Sequence, residues 1–224
     1  MRYAIISDIH SNLHALEVVV SDIKDSSVDR VLCLGDVVGY GAYPNESLAI
    51  TREISHTILA GNHDHAAIGL MDISAFNHYA NKAAIWTRNK LTEENTSFMR
   101  ECPFIYEEGS LLFVHATPED PAKWSYVFSD IDAQFVLQHN PGRTIFIGHT
   151  HIPREHSTKD GRLINVGSVG QPRDGDPRAS YGIFDGESGI LEIKRLEYDI
   201  DAAKKAILDA GLPPFLAERL SLGR

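Results

Sequence analysis

Cysteine is scarce. The only two, Cys33 and Cys102, lie far apart and form no CxxC pair. A disulfide framework or a thiolate metal site therefore cannot organise this chain. Unpaired thiols in a reducing cytoplasm are the expectation, with one bridge between them as the alternative. Long apolar runs are also missing. None approaches the roughly 18 residues that suggest a membrane span, and no membrane association is expected. The amino terminus, Met1-Arg2-Tyr3, runs straight into strand-like residues without the pattern of a signal peptide. Basic stretches are absent too. With a formal charge of −10, the chain has no surface on which to release the counterions of a nucleic-acid backbone. Repeats, low-complexity tracts and linkers do not occur.

What remains is ordinary globular material. The 224 residues are 43% hydrophobic and 23% charged, enough for a sizeable core in one domain spanning 1–224. Tyr3–Ser7, Val31–Leu34 and Thr57–Ala60 read as short buried strands. Between them, 12–24 and 45–54 carry helical spacing, so the first third reads β-α-β-α-β with parallel strands. Helices are predicted over Ile73–Leu91, with Asp72 or Ser74 as cap, and over Glu93–Arg100. Short strands follow at 110–114, 144–147, 162–166, 180–184 and 190–196, which predicts a more antiparallel second half. A hairpin turn at 186–189 and helices at 200–209 and 215–220 complete the chain.

Eleven histidines are many for this length, and their placement is informative. Strand-like runs end in Asp8-Ile9-His10, in Gly35-Asp36, in Gly61-Asn62-His63-Asp64, in His115 and in Gly148-His149-Thr150-His151. Each residue alone has a plain structural explanation as a cap, a turn acid or a strand end. Five strand ends carrying nitrogen or oxygen donors are harder to explain that way. Carboxyl ends of strands are where open α/β sheets bind ligands. On extended chain, Asp8 and His10 would share one side, as would His149 and His151, and each pair could grip one metal.

In this order, D-x-H, G-D, G-N-H-D, a lone strand-end histidine and G-H-x-H resemble the calcineurin-like metallophosphoesterases, over about residues 1–184. The resemblance is greatest to their small bacterial and archaeal phosphodiesterase branch. It implies a four-layer α/β/β/α sandwich of two mixed β-sheets flanked by helices. It implies two divalent metal ions, one held by Asp8, His10 and His151, the other by Asn62, His115 and His149, with Asp36 bridging. Manganese or a mixed-metal centre is expected, because imidazole, carboxylate and amide donors suit Mn, Fe, Zn, Co or Ni alike. The implied reaction is hydrolysis of a small phosphoester by a bridging hydroxide. His63 would protonate the leaving oxygen, and Asp64 would orient its ring and keep it charged.

Asn12, His78 and Arg173 are candidates for substrate contact. His78 reads more simply as an exposed helix residue. Arg173 is as well placed to pair with Asp174 or Asp176. Protein serine/threonine phosphatases carry Asp-Arg after Gly-Asp, whereas Val37-Val38 stands here, so a small phosphodiester is the expected substrate, with a monoester or nucleotide as the alternative. A metal-free binding scaffold on the same fold would be expected to have lost ligands, and none is missing.

Overall fold

The strand β1 (Arg2–Ile6) lies at the centre of a computed structural model that describes residues 1–224. Its side chains alternate between two cores. Tyr3 and Ile5 face one apolar cluster, with Leu32, Phe113, Phe146, Ile164 and Phe184, while Ala4 and Ile6 face another, with Leu16, Val19 and Leu48. The first cluster lies between two sheets; the second lies under helices.

The order of elements is β1, α1 (Leu13–Asp25), β2 (Arg30–Cys33), α2 (Pro44–Ile54), β3 (Thr57–Ile58), α3 (Asn62–Ala67), α4 (His78–Lys90) and α5 (Glu93–Arg100). Then come β4 (Ile105–Glu108), β5 (Leu111–Val114), α6 (Asp130–His139), β6 (Arg143–Ile147), β7 (Arg154–Thr158) and β8 (Gly161–Asn165). The chain closes with β9 (Ala179–Asp185), β10 (Leu191–Leu196), α7 (Ile200–Asp209), α8 (Pro214–Glu218) and a 3₁₀ turn at Arg219–Leu222. One sheet has the order β10-β9-β1-β2-β3 and the other β4-β5-β6-β8-β7. Both are mixed, and helices cover their outer faces, which gives the expected layered sandwich.

The first third follows the predicted β-α-β-α-β, and β1-β2-β3 pair in parallel. The second half is mostly antiparallel, as expected, with β9 pairing antiparallel to both β1 and β10, but two of its pairs are not. β5 with β6 and β6 with β8 are parallel; only β4 with β5 and β7 with β8 are antiparallel in that sheet. The cause is α6, a crossover helix absent from the sequence reading. It buries Ala133, Val136 and Leu137 but exposes Ile131 and Phe135, so its apolar residues follow no clean helical period. β4 and β7, both edge strands, and α3 were likewise not anticipated. The predicted helix from Ile73 begins only at His78. Asn77 captures it, accepting the N–H groups of Tyr79 and Ala80, while Asp72 closes a local turn with Ser74. Both cysteines are free thiols. No helix is long and apolar enough to cross a membrane.

Candidate metal centre

The carboxyl ends of β1, β2, β5 and β6, with the start of α3, meet at one edge of the two packed sheets. Their loops are laced together by the backbone. His10 N–H donates to Asp36 O at 3.0 Å, Gly170 N–H to Asp8 O at 3.0 Å, and Gly148 N–H to His115 O at 3.0 Å. The chain here is not extended. Asp8 (φ 54°), His10 (φ 50°), Asp36 (φ 53°), Tyr40 (φ 56°), His149 (φ 66°) and His151 (φ 62°) all occupy the left-handed region. Non-glycine residues reach that region at a cost of order 1–3 kcal/mol each, and such residues cluster at functional sites. The expected convergence is present, but by left-handed turns. Asp8 and His10 stay together, but the second extended-chain pair divides: Asp8, His10 and His151 form one donor group, and Asp36, His115 and His149 another. His149 and His151 thus serve different groups. Within each group the donor atoms lie within 4.8 Å of one another.

Both acids are buried and divided in the same way. Asp8 Oδ2 accepts from the Ser7 hydroxyl at 2.7 Å and the His149 N–H at 3.0 Å. Asp36 Oδ1 accepts the His63 N–H at 2.8 Å. In each, the second oxygen, Asp8 Oδ1 or Asp36 Oδ2, has no hydrogen-bond donor and faces imidazoles. Two glycines make room: a Cβ on Gly61 would collide with the Asp36 carboxylate, and one on Gly148 with Ser7 and Asp8.

The four imidazoles are fixed by backbone carbonyls, which can only accept. His10 Nδ1 donates to Val38 O at 3.1 Å, His115 Nδ1 to Leu34 O at 3.1 Å, and His151 Nδ1 to Gln171 O at 2.5 Å. His149 donates through Nε2 to Trp124 O at 2.9 Å. Each ring's other nitrogen is therefore a bare lone pair in its neutral form. The His10 and His151 Nε2 atoms face each other at 3.1 Å, with Asp8 Oδ1 3.2 Å from His151 Nε2. His115 Nε2 faces Asn62 Oδ1 at 3.2 Å and Asp36 Oδ2 at 3.3 Å. Acceptor opposed to acceptor in a buried site is unfavourable unless a cation lies between. The donors fit metal ions. Asp36 Oδ2 is also 3.7 Å from His10 Nε2, and Asp8 Oδ1 is 4.0 Å from His115 Nε2, so the two groups adjoin.

Electrostatics follow from this crowding. Burial pushes His149 down to about 3, helped by His115, and it also lowers His10 and His151. For His115 burial is outweighed by Asp36 and then Asp8, and it stands at about 9. For Asp36 the burial penalty is in turn overcome by His115 and His63, and its carboxyl stays well below the usual range.

His63 and Asp64 are at the site, but not as a bonded pair. Asp64 accepts the N–H groups of Val38 at 3.0 Å and Gly61 at 3.2 Å; His63 Nδ1 is buried without a partner. Burial, with Arg173 and neighbouring histidines, lowers His63 to about 4 against the pull of Asp36. The expectation that Asp64 keeps His63 charged is therefore corrected. Burial and the Asp36 charge instead lift Asp64 to about 7.

Of the substrate candidates, Asn12 is tied into structure: its Oδ1 caps α1 through Ala15 N–H and its Nδ2 donates to Gly170 O. His78 is exposed, its ring against Tyr79, and nothing brings it to the donor groups. Arg173 is at the site. Its N–H donates to His151 O at 3.2 Å, its Nη2 to Gln171 Oε1 at 2.8 Å. It pairs with neither nearby acid, since Asp174 is taken by Arg195 and Asp176 by Arg178. The sequence reading did not assign Tyr126, whose ring stacks on His149 at 4.0 Å, or Phe76, 4.9 Å from His63. Nor did it foresee Arg219, which reaches Tyr40 from the far end of the chain.

The comparisons with known proteins agree with this geometry. The family model described as the calcineurin-like phosphoesterase superfamily domain matches residues 1–189. An uncharacterized protein of Methanocaldococcus jannaschii is 43% identical, over 99% of this chain and 98% of its own. The crystal structure of a metallophosphoesterase from Sphaerobacter thermophilus superposes with a TM-score of 0.88 at 36% identity, covering 100% of this chain and 99% of that one. A hypothetical protein of Pyrococcus horikoshii OT3 shares the fold with a TM-score of 0.87 at 19% identity, over 100% and 98% of the two chains. The chain belongs to the calcineurin-like phosphoesterase superfamily.

Proposed function

We propose that this protein is a metal-dependent phosphohydrolase acting on small phosphodiesters. The observation that carries the reading is the pair of bare Nε2 atoms of His10 and His151 facing each other at 3.1 Å beside a free carboxylate oxygen of Asp8. That arrangement favours a bound cation. In this reading Asp8, His10 and His151 would hold one divalent ion, Asn62, His115 and His149 a second, and Asp36 would serve both. Manganese is our assignment, since no thiolate contributes. Two such ions supply Lewis acidity and a nucleophilic oxygen near neutral pH.

The chain's own residues do the rest. Backbone carbonyls fix the imidazole rings before substrate arrives, and burial excludes water from their inner faces. His63 is assigned the proton of the leaving oxygen. Its ring is neutral in the free site, and an anion docking beside it favours the charged form. It can then take up a proton with the substrate and return it on bond cleavage. Such help is typically worth ~10²–10⁴-fold. Asp64 positions the α3 turn by holding the Val38 and Gly61 amides. The residues after Asp36, Val37 and Val38, offer no phosphate-gripping arginine, which supports a small diester over a phosphoprotein.

The test is elemental analysis of the purified protein, with turnover of bis(4-nitrophenyl) phosphate and of 4-nitrophenyl phosphate before and after chelation. The reading expects bound divalent metal and diester turnover that chelation abolishes and manganese restores. Turnover unaffected by chelation would overturn it, and a strong preference for the monoester would move the substrate class.

A further inference from the structure

His149 and His151 are two residues apart, yet they belong to different donor groups. Extended backbone would turn both rings to one side. A tight turn prevents it. Thr150 N–H donates to Gly148 O at 2.7 Å, across His149, whose φ is 66°. Three-residue turns of this kind at positive φ are rare and strained. A histidine does not keep such a geometry unless its surroundings impose it.

One side chain grips both ends of the turn. Asn165, the last residue of β8, donates through Nδ2 to Gly148 O at 2.6 Å and to Thr150 Oγ1 at 2.9 Å. Its Oδ1 accepts the Gly167 N–H at 2.8 Å. The residue is buried. An amide suits the position because it offers two hydrogens to two acceptors and an oxygen to the one donor. Sheet register brings it there: Asn165 is aligned with Ile147 in the parallel pairing of β6 and β8, directly before the turn. None of its bonds reaches an imidazole or a carboxylate, so it acts on the donors only through the backbone. With the turn held, His149 N–H meets Asp8 Oδ2 at 3.0 Å and its Nε2 meets Trp124 O at 2.9 Å. The chain then brings His151 Nε2 to within 3.2 Å of Asp8 Oδ1.

We propose that Asn165 is a positioning residue that holds the turn around His149 and so keeps the two histidines on separate donor groups. Without it, the ion assigned to His149 is weakened and the ion assigned to His151 is not. The ions rest on the metal-dependent reading of the site; the turn does not.

Asn165→Leu removes all three bonds at similar size. Manganese is titrated calorimetrically into metal-free wild type and variant. The substitution is expected to weaken one binding event by about tenfold or more and to leave the other unchanged. In a His149→Ala background it should weaken nothing further, because the ring it positions is gone. Equal weakening of both events, two unchanged affinities, or further weakening in the His149→Ala background would each overturn the proposal. Asn165→Asp keeps the bond from Gly167 but donates to neither acceptor; it should behave as the leucine variant does and serves in its place if that one does not fold. A separate arm needs no metal. In ¹⁵N-histidine spectra of metal-free protein, wild-type His149 should show the Nε2–H form fixed by Trp124, and the variants should lose it. Unchanged His149 signals in the variants overturn the proposal. If wild type binds no manganese, the metal-dependent reading fails, and these spectra still decide the role of Asn165.

Discussion

Asp36 accepts the backbone N–H of His63 through Oδ1 at 2.8 Å and leaves Oδ2 turned inward, 3.3 Å from His115 and 3.7 Å from His10. One side chain thus pins the start of α3 and faces both donor groups. Asp36→Asn keeps the shape but loses the charge that both groups share. It should lower bound metal, measured by elemental analysis, and reduce diester turnover by more than about 100-fold. Full metal content and near-normal turnover would remove Asp36 from its assigned place.

Gly61 lies against that carboxylate, with no room for a methyl group. Gly61→Ala must displace Asp36 or the α3 turn. Overpacking of this kind costs typically ~1–3 kcal/mol, so the melting temperature should fall and the diester rate should fall with it. A wild-type melting curve would show that the approach is looser than described.

Metal affinity should rise with pH. Without metal, His115 carries its proton to about 9, because Asp36 and Asp8 outweigh burial. A metal ligand must be deprotonated, so the ion has to displace that proton. Affinity should climb by up to about tenfold per pH unit between pH 7 and 9 and then level. The linkage to metal-free stability has the opposite sign. The folded pKa lies above the unfolded value of about 6.5, so the contribution is full below that pH and is lost as pH rises through 9. Calorimetric titration of manganese at several pH values checks the first, and thermal melts of metal-free protein the second. A flat affinity profile would contradict the proton displacement.

His63→Ala separates metal binding from proton handling. Metal content should be unchanged. Turnover should fall ~10²–10⁴-fold for a diester with an alkyl leaving group and far less for the nitrophenyl ester, whose leaving group needs no proton. Equal losses on both esters would remove the acid role.

The donor residues were legible because each follows a short apolar run that could only be a buried strand. Their direction was not. Alternation along an extended chain put Asp8 with His10 and His149 with His151; only the resemblance separated the second pair, which left-handed turns divide between the two donor groups. Local sequence cannot foresee that, since the turns are imposed by neighbouring loops such as 35–38 and 168–170. α6 escaped notice because Ile131 and Phe135 point outward, which hides its period and with it the parallel pairing of β5 and β6. The link expected between His63 and Asp64 failed for a geometric reason: the acid turns back to close its own helix start on Gly61. Arg219 had no signal at all, because its meaning depends on a contact made across the whole chain.

The central claim is that two donor groups hold two cations side by side. Counting the manganese ions bound per chain after loading and exhaustive dialysis tests it most directly. Two per wild-type chain, with one lost in His151→Ala and a different one in His149→Ala, is the predicted result. No retained ion, or a count unchanged by either substitution, would contradict it.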